Sequence, residues 1–186
     1  MKLAWLLVLL TASFGAGLEE GPTQADNVGA VGDPTRGLID TARASGIRPL
    51  VENGPDTFFY RFTRGGQFRE SLVLLPRAVF ETDLIDVGRG RCVSLMAGIT
   101  FNLGDGAILE ISAEGISGQP QVVRVSLDPA HVRADRTWTP IRLDIPASEG
   151  PIRLRFEVDA GIRGDLTGDW MGIAPGGEPG CLFAAQ

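Results

Sequence analysis

The chain has 186 residues and a formal net charge of −6 at pH 7, with 23 acidic residues against 17 basic ones. This acidic balance argues against nucleic acids and anionic membrane surfaces as partners, because both select basic proteins. The length fits one domain with enough chain to bury a hydrophobic core.

Residues 1–17 have the layout of a secretory signal peptide. Lys2 supplies the positive start, Leu3–Leu10 is a continuous apolar run, and small residues follow it. The run is too short to cross a bilayer, which needs about 20 residues. We therefore expect an exported protein, periplasmic or secreted, with no membrane span after removal of the signal. An uncleaved N-terminal anchor is the alternative.

Residues 18–56 are predicted to form an N-terminal arm with one short helix. Leu38, Ile39 and Ala42 share one side of a helix, and Gly46 gives a stop signal. The sequence before this helix is polar, rich in glycine and without a period, as is typical of an arm outside the core.

Residues 57–186 show the two-residue period of strands with one buried face. The clearest examples are Val93–Phe101, Ile141–Ile145 and Ile152–Val158. Eight or nine such runs, separated by turn signals, predict an all-β fold, an antiparallel β-sandwich of the jelly-roll type. The runs beside Gly104-Asp105-Gly106 are expected to pair as a hairpin, and Cys181–Ala185 is expected to form the last strand.

Cys92 and Cys181 are the only cysteines. In an exported chain an even pair favours a disulfide. The competing interpretation is a nucleophilic pair of Cys92 and His131. His131 is the only histidine, so a two-histidine metal site is excluded, and no Gly-x-Ser-x-Gly motif is present. We therefore expect a protein that is not an enzyme.

The segment Asp159–Trp170 carries three carboxylates, Asp159, Asp165 and Asp169, among several glycines. Hard oxygen ligands at loop spacing predict a structural calcium site, the single cofactor expected. The alternative is that Asp and Gly serve turns. Trp170 either stacks on a sugar ring or caps the edge of the core. The sheet faces are expected to offer few aromatic residues, so the ligand-binding prediction rests on Trp170 and these three carboxylates.

Several segments together resemble the galactose-binding-like jelly-roll modules attached to bacterial extracellular sulfatases and carbohydrate-active enzymes. The segments that carry the resemblance are Gly104–Gly106, Leu127–Pro129, Trp138–Ile145, Ile152–Val158 and Gly168–Gly172. It covers roughly Arg77–Phe183. The resemblance implies a jelly-roll fold, and members of the group bind sugars, bind calcium structurally, or brace a neighbouring domain.

Two classes of function follow from these observations. The first is an exported, non-catalytic binding module for carbohydrate or another envelope component. The second is a structural or accessory protein that packs against a partner chain. An exposed Trp170 beside a concave sheet favours the first class, and a flat apolar patch favours the second.

Overall fold

The computed structural model describes residues 37–47, 56–87, 92–115, 120–145, 150–161, 164 and 168–184. These residues form one α-helix, one short 3-10 helix and nine β-strands. The helices are α1 (Leu38–Ala44) and the 3-10 turn Arg133–Arg136. The strands are β1 (Thr57–Arg64), β2 (Gln67–Leu74), β3 (Val79–Glu81), β4 (Cys92–Ile99), β5 (Ala107–Gly115), β6 (Gln121–Leu127), β7 (Thr139–Asp144), β8 (Ile152–Ala160) and β9 (Met171–Pro175).

The strands form two antiparallel sheets packed as a β-sandwich. One sheet has five strands in the order β1-β2-β9-β4-β7, and the other has four in the order β3-β8-β5-β6. The predicted all-β antiparallel sandwich with a short N-terminal helix is confirmed. The predicted signal peptide, residues 1–17, lies outside the described residues.

The main core lies between the sheets, where every second side chain of each strand points inward. In β8, Ile152, Leu154, Phe156 and Val158 are buried, and the residues between them are not. This alternation follows directly from the pleat of a strand. Opposite β8, the strands β4 and β9 contribute inward side chains such as Leu95 and Ile173.

Helix α1 covers one edge of the core. Leu38 and Ala42, one helical turn apart, are fully buried, because residues i and i+4 share a helix face. Arg43 at the end of α1 binds the Glu70 carboxylate of β2 at 2.9 Å. The helix predicted from the spacing of Leu38, Ile39 and Ala42 is therefore present.

The predicted hairpin at Gly104-Asp105-Gly106 is wrong. Strand β4 pairs with β7 and β9, whereas β5 pairs with β6 and β8. The turn instead carries the chain from one sheet to the other. Its conformation needs glycine, since Gly106 has a φ of 125°.

The predicted last strand is also misplaced. Met171–Pro175 forms strand β9 between β2 and β4. In the described part of the segment after Gly180, residues 181–184, the pairing consists of two isolated bridges, Val93 with Leu182 and Gly176 with Ala184. That segment lies beside the first residues of β4, beyond the point where β9 ends.

The disulfide between Cys92 and Cys181 is present, with Cα atoms 4.7 Å apart, and this prediction is confirmed. The Leu182 N–H donates to the Cys92 carbonyl at 2.8 Å, and the Ser94 N–H donates to the Leu182 carbonyl at 3.0 Å. The bond therefore fastens the C-terminal segment to the start of β4. Since Cys92 is bonded, the alternative of a Cys92–His131 nucleophilic pair is wrong.

Candidate functional site

The outer faces of the two sheets differ in chemistry. The four-stranded sheet presents charges to solvent, and Arg155 binds Glu81 at 3.0 Å and Glu157 at 2.8 Å. These hydrogen bonds raise the pKa of Arg155 above its ordinary value, and the bond to Glu157 has a larger effect than the bond to Glu81. Exposed ion pairs of this kind contribute little and suit a solvated surface.

The five-stranded sheet carries aromatic residues on its outer face. We call this surface the aromatic face and define it by Phe58, Tyr60, Phe62, Trp138 and Trp170. Phe58, Phe62 and Trp138 are buried in a second apolar cluster that is separate from the core. The face contradicts the expectation that the sheet faces offer few aromatic residues.

The tip of the β1–β2 hairpin covers part of the aromatic face. Gly65 and Gly66 form its turn with φ values of 54° and 78°, which only glycine adopts without strain. The Gly65 N–H donates to the Arg136 carbonyl at 3.2 Å, and the Trp138 indole N–H donates to the Gln67 carbonyl at 2.9 Å. The hairpin thus reaches across its own sheet to the start of β7.

Beneath the tip, rings and guanidinium groups pack in a short stack. Phe62 lies between Tyr60 and Trp138, with ring centroids 6.3 Å and 4.7 Å away. The Arg64 guanidinium lies 5.7 Å from the Phe62 centroid, and that of Arg69 lies 5.9 Å from the Trp138 centroid. Such contacts between cations and ring faces are attractive.

A groove of about 610 Å³ opens on the same face, beside β7. It is lined by Ser94, Met96, Pro140, Ile141, Arg142, Gly177, Glu178 and Pro179. Arg142 forms ion pairs with Glu178 and with Asp144. The groove combines an apolar floor with a few polar groups, which is the usual make-up of a ligand site.

Trp170 lies at the other end of the aromatic face. Its ring makes edge contacts with Phe58 at 5.5 Å and with Phe101 at 5.3 Å. Trp170 is half-buried, whereas Phe101 is 47% exposed. Trp170, which the sequence placed in a loop, therefore packs on the outer surface of the sheet and remains partly exposed.

The three predicted carboxylates occupy different environments. Asp169 is fully buried, and its Oδ1 accepts the Gly106 N–H at 3.1 Å. Asp159 is exposed at the end of β8 and accepts the N–H of Ala160 at 2.8 Å. Asp165 lies outside the described residues. Within the described ranges no three candidate metal ligands come together, so the calcium site stays a prediction.

His131 and Trp138 complete the residues singled out from the sequence. His131 is exposed, with its Nδ1 2.8 Å from the Asp128 carboxylate. Trp138, which belongs to the aromatic face, is buried. The sequence did not show that Phe58, Tyr60 and Phe62 lie on the outer side of a sheet, although their two-residue spacing places all three rings on one face of β1.

The comparisons with known proteins include a distant likeness in structure. No family model matches the chain, and no curated protein matches it. The carbohydrate-binding module TmCBM61, solved in complex with β-1,4-galactotriose, is similar with a TM-score of 0.38 and 14% sequence identity. The match covers 56% of this chain and 66% of that one.

No helix within the described part of the chain is long and apolar enough to span a membrane.

Proposed function

We propose that the protein is an exported, non-catalytic module that binds carbohydrate on the aromatic face. The observation that carries this proposal is the concentration of aromatic rings on the outer face of one sheet, beside a groove of about 610 Å³. The outer face of a sheet is ordinarily polar, as it is on the four-stranded sheet. A row of aromatic rings on such a face therefore supports a binding role.

Sugars offer an apolar ring face and a rim of hydroxyl groups. Aromatic rings stack on the first, and polar side chains bind the second. Tyr60 and Phe101, which are 40% and 47% exposed, supply accessible ring surface. Ser94, Arg142 and Glu178 supply polar groups in the adjacent groove.

The groove favours binding over chemistry. Glu178 is the one carboxylate among the described residues that line it, and it is held in an ion pair with Arg142. Glycoside hydrolysis uses two carboxyl groups facing each other across the scissile bond. A carboxylate that already neutralises an arginine is poorly placed to act as an acid.

Export is proposed from two independent features. The first is the Lys2 and Leu3–Leu10 pattern at the start of the chain. The second is the Cys92–Cys181 disulfide, because disulfides persist mainly in oxidising compartments. We propose the periplasm or the cell exterior as its location.

The test is a glycan array probed with the disulfide-bonded protein, followed by calorimetric titration of the sugars that bind. We expect Tyr60→Ala and Phe101→Ala to weaken binding about tenfold or more, as is usual for loss of a stacking ring. Phe68→Ala is the matched control, since Phe68 is 65% exposed and points away from the aromatic face. Equal affinity for all three variants would refute the proposed site.

An accessory protein that docks on a partner chain is the second candidate function. Leu103 favours it, because this residue is 88% exposed beside the half-exposed Phe101. If docking is the function, the wild type binds an envelope protein but no sugar, and Leu103→Asp abolishes the association with that protein. Sugar binding that survives Leu103→Asp supports the first candidate.

A further inference from the structure

Arg64 is a buried cation on the aromatic face. It ends β1 and is only 5% exposed. Its stem lies on the sheet, where its Cγ would be 3.2 Å from a Cβ atom at Gly98. Its Nη1 donates to the side-chain oxygen of Asn102, while its Nε and Nη2 have no hydrogen-bond partner.

The two unpartnered donors are on the same edge of the guanidinium. The N–H groups of Nε and Nη2 point in parallel from that edge, with a spacing that matches the two oxygens of a carboxylate. Asn102 occupies the remaining end of the group and fixes its orientation. Arg64 is therefore held in one orientation, with both donors of its bidentate edge unpaired.

The charge of Arg64 faces the Phe62 ring, 5.7 Å away, rather than a carboxylate. Within the described residues it forms no ion pair, whereas the exposed Arg43, Arg142 and Arg155 each bind two carboxylates. Burial lowers the pKa of Arg64 from its ordinary value. An isolated buried charge is unfavourable unless a counter-ion accompanies it.

We infer that the Nε–Nη2 edge of Arg64 binds the carboxylate of an acidic sugar, so that the ligand is a uronate-bearing carbohydrate. This inference rests on the proposed function and specifies its ligand class. Asn102 directly follows Phe101, whose ring contacts Trp170 at 5.3 Å. The Arg64 guanidinium also lies 5.7 Å from the centroid of Phe62, whose ring stacks with that of the accessible Tyr60 at 6.3 Å. In the proposed site the rings bind the sugar face and Arg64 binds the acid.

The hairpin tip must move for the ligand to reach this edge, because both nitrogens are fully buried. The tip is held over the sheet by the hydrogen bond from Gly65 to Arg136 and by that from Trp138 to Gln67. The two glycines of the tip are exposed, and raising the tip breaks these two hydrogen bonds. Association is then limited by opening of the tip.

The experiment is calorimetric titration with uronic acid trisaccharides, each compared with its neutral counterpart, such as trigalacturonate with galactotriose. We expect the wild type to bind an acidic sugar at least about tenfold more tightly than its neutral partner, since charge-assisted bidentate bonds are strong. Arg64→Met keeps the stem but removes the guanidinium, and it should abolish the preference. Arg64→Lys keeps the positive charge but lacks the two parallel N–H donors, and it should lose most of the preference for acidic sugars.

Arg61→Met is the matched control, because Arg61 is on the same strand with its side chain 62% exposed and paired with Glu70. It should leave the preference for acidic sugars unchanged. Thermal unfolding supplies a second readout. If Arg64 is kept for binding, Arg64→Met should melt at the wild-type temperature or above it, because it removes an unpaired buried charge.

The outcomes separate the two proposals. Equal affinity of the wild type for acidic and neutral sugars, or an acid preference that persists in Arg64→Met, overturns this inference and leaves the proposed function in place. A lower melting temperature of Arg64→Met together with loss of both sugars overturns it in favour of a structural role. Binding of no sugar at all overturns both proposals.

Discussion

Gly98 of β4 and Gly172 of β9 are directly opposite each other in the centre of the five-stranded sheet. A Cβ atom at Gly172 would lie 2.4 Å from the ring of Phe62. One at Gly98 would lie 3.2 Å from both Trp138 and Arg64. The glycine pair thus forms a floor on which the rings of the aromatic face and the stem of Arg64 lie flat.

Gly172→Ala should destabilise the protein. The new methyl group would overlap the Phe62 ring at 2.4 Å, and overpacking of this kind costs about 1–3 kcal/mol. Chemical denaturation measures the free energy of unfolding. Gly177→Ala is the control, because nothing lies within 4 Å of its added atom. If both variants unfold alike, the rings do not rest on Gly172.

Loss of the disulfide should lower the free energy of unfolding by roughly 4–5 kcal/mol in the chain-entropy model, since the bond closes a loop of 89 residues. A double variant, Cys92→Ser with Cys181→Ser, should unfold at lower denaturant than the oxidised wild type. Reductant should destabilise the wild type and leave the variant unaffected. Thiol labelling of denatured, unreduced wild type should find no free sulfur, and labelling of both cysteines would contradict the bond.

Local patterns predicted the strands and the disulfide, but they did not predict which strands pair. The period of two in Ile152–Val158 identifies a strand. Its neighbours, β3 and β5, are determined by the packing of the whole sheet and cannot be read from the strand itself. The hairpin expected at Gly104–Gly106 failed for that reason, because turn residues suit a sheet-to-sheet connection as well as a hairpin.

The candidate site was missed through a related ambiguity. Phe58, Tyr60 and Phe62 show a two-residue period, but a period does not say which face is inside, and β1 also directs Phe59 into the core. Trp138 joins these rings only because the hairpin tip reaches the start of β7. That contact joins residues far apart in the sequence, so no local motif marks it.

The exported protein should begin between Ala16 and Glu19. This expectation follows from the signal-peptide pattern of residues 1–17. Intact-mass analysis of protein recovered outside the cytoplasm gives the mature N-terminus directly. Retention of Met1 in that protein would show that the segment is an uncleaved anchor.

Asp169→Ala should destabilise the turn between β4 and β5. The carboxylate is fully buried, and its Oδ1 accepts the Gly106 N–H at 3.1 Å. A Cβ atom at Gly104 would lie only 2.6 Å from the same oxygen, so the carboxylate and the turn are tightly packed. Leaving a buried donor without its acceptor costs about 1–3 kcal/mol, and thermal and chemical unfolding should show a loss of that order.

Asp159→Ala is the control for this variant and also tests the calcium prediction. Asp159 is exposed, and among the described residues its carboxylate accepts a hydrogen bond only from the adjacent Ala160 N–H. Without calcium its replacement should therefore change stability by no more than about 0.5 kcal/mol. If calcium binds Asp159, Asp165 and Asp169, it should raise the melting temperature of the wild type, and Asp159→Ala should remove that increase. A wild-type melting temperature that calcium does not change would show that Asp169 serves the turn alone and that the predicted metal site is wrong.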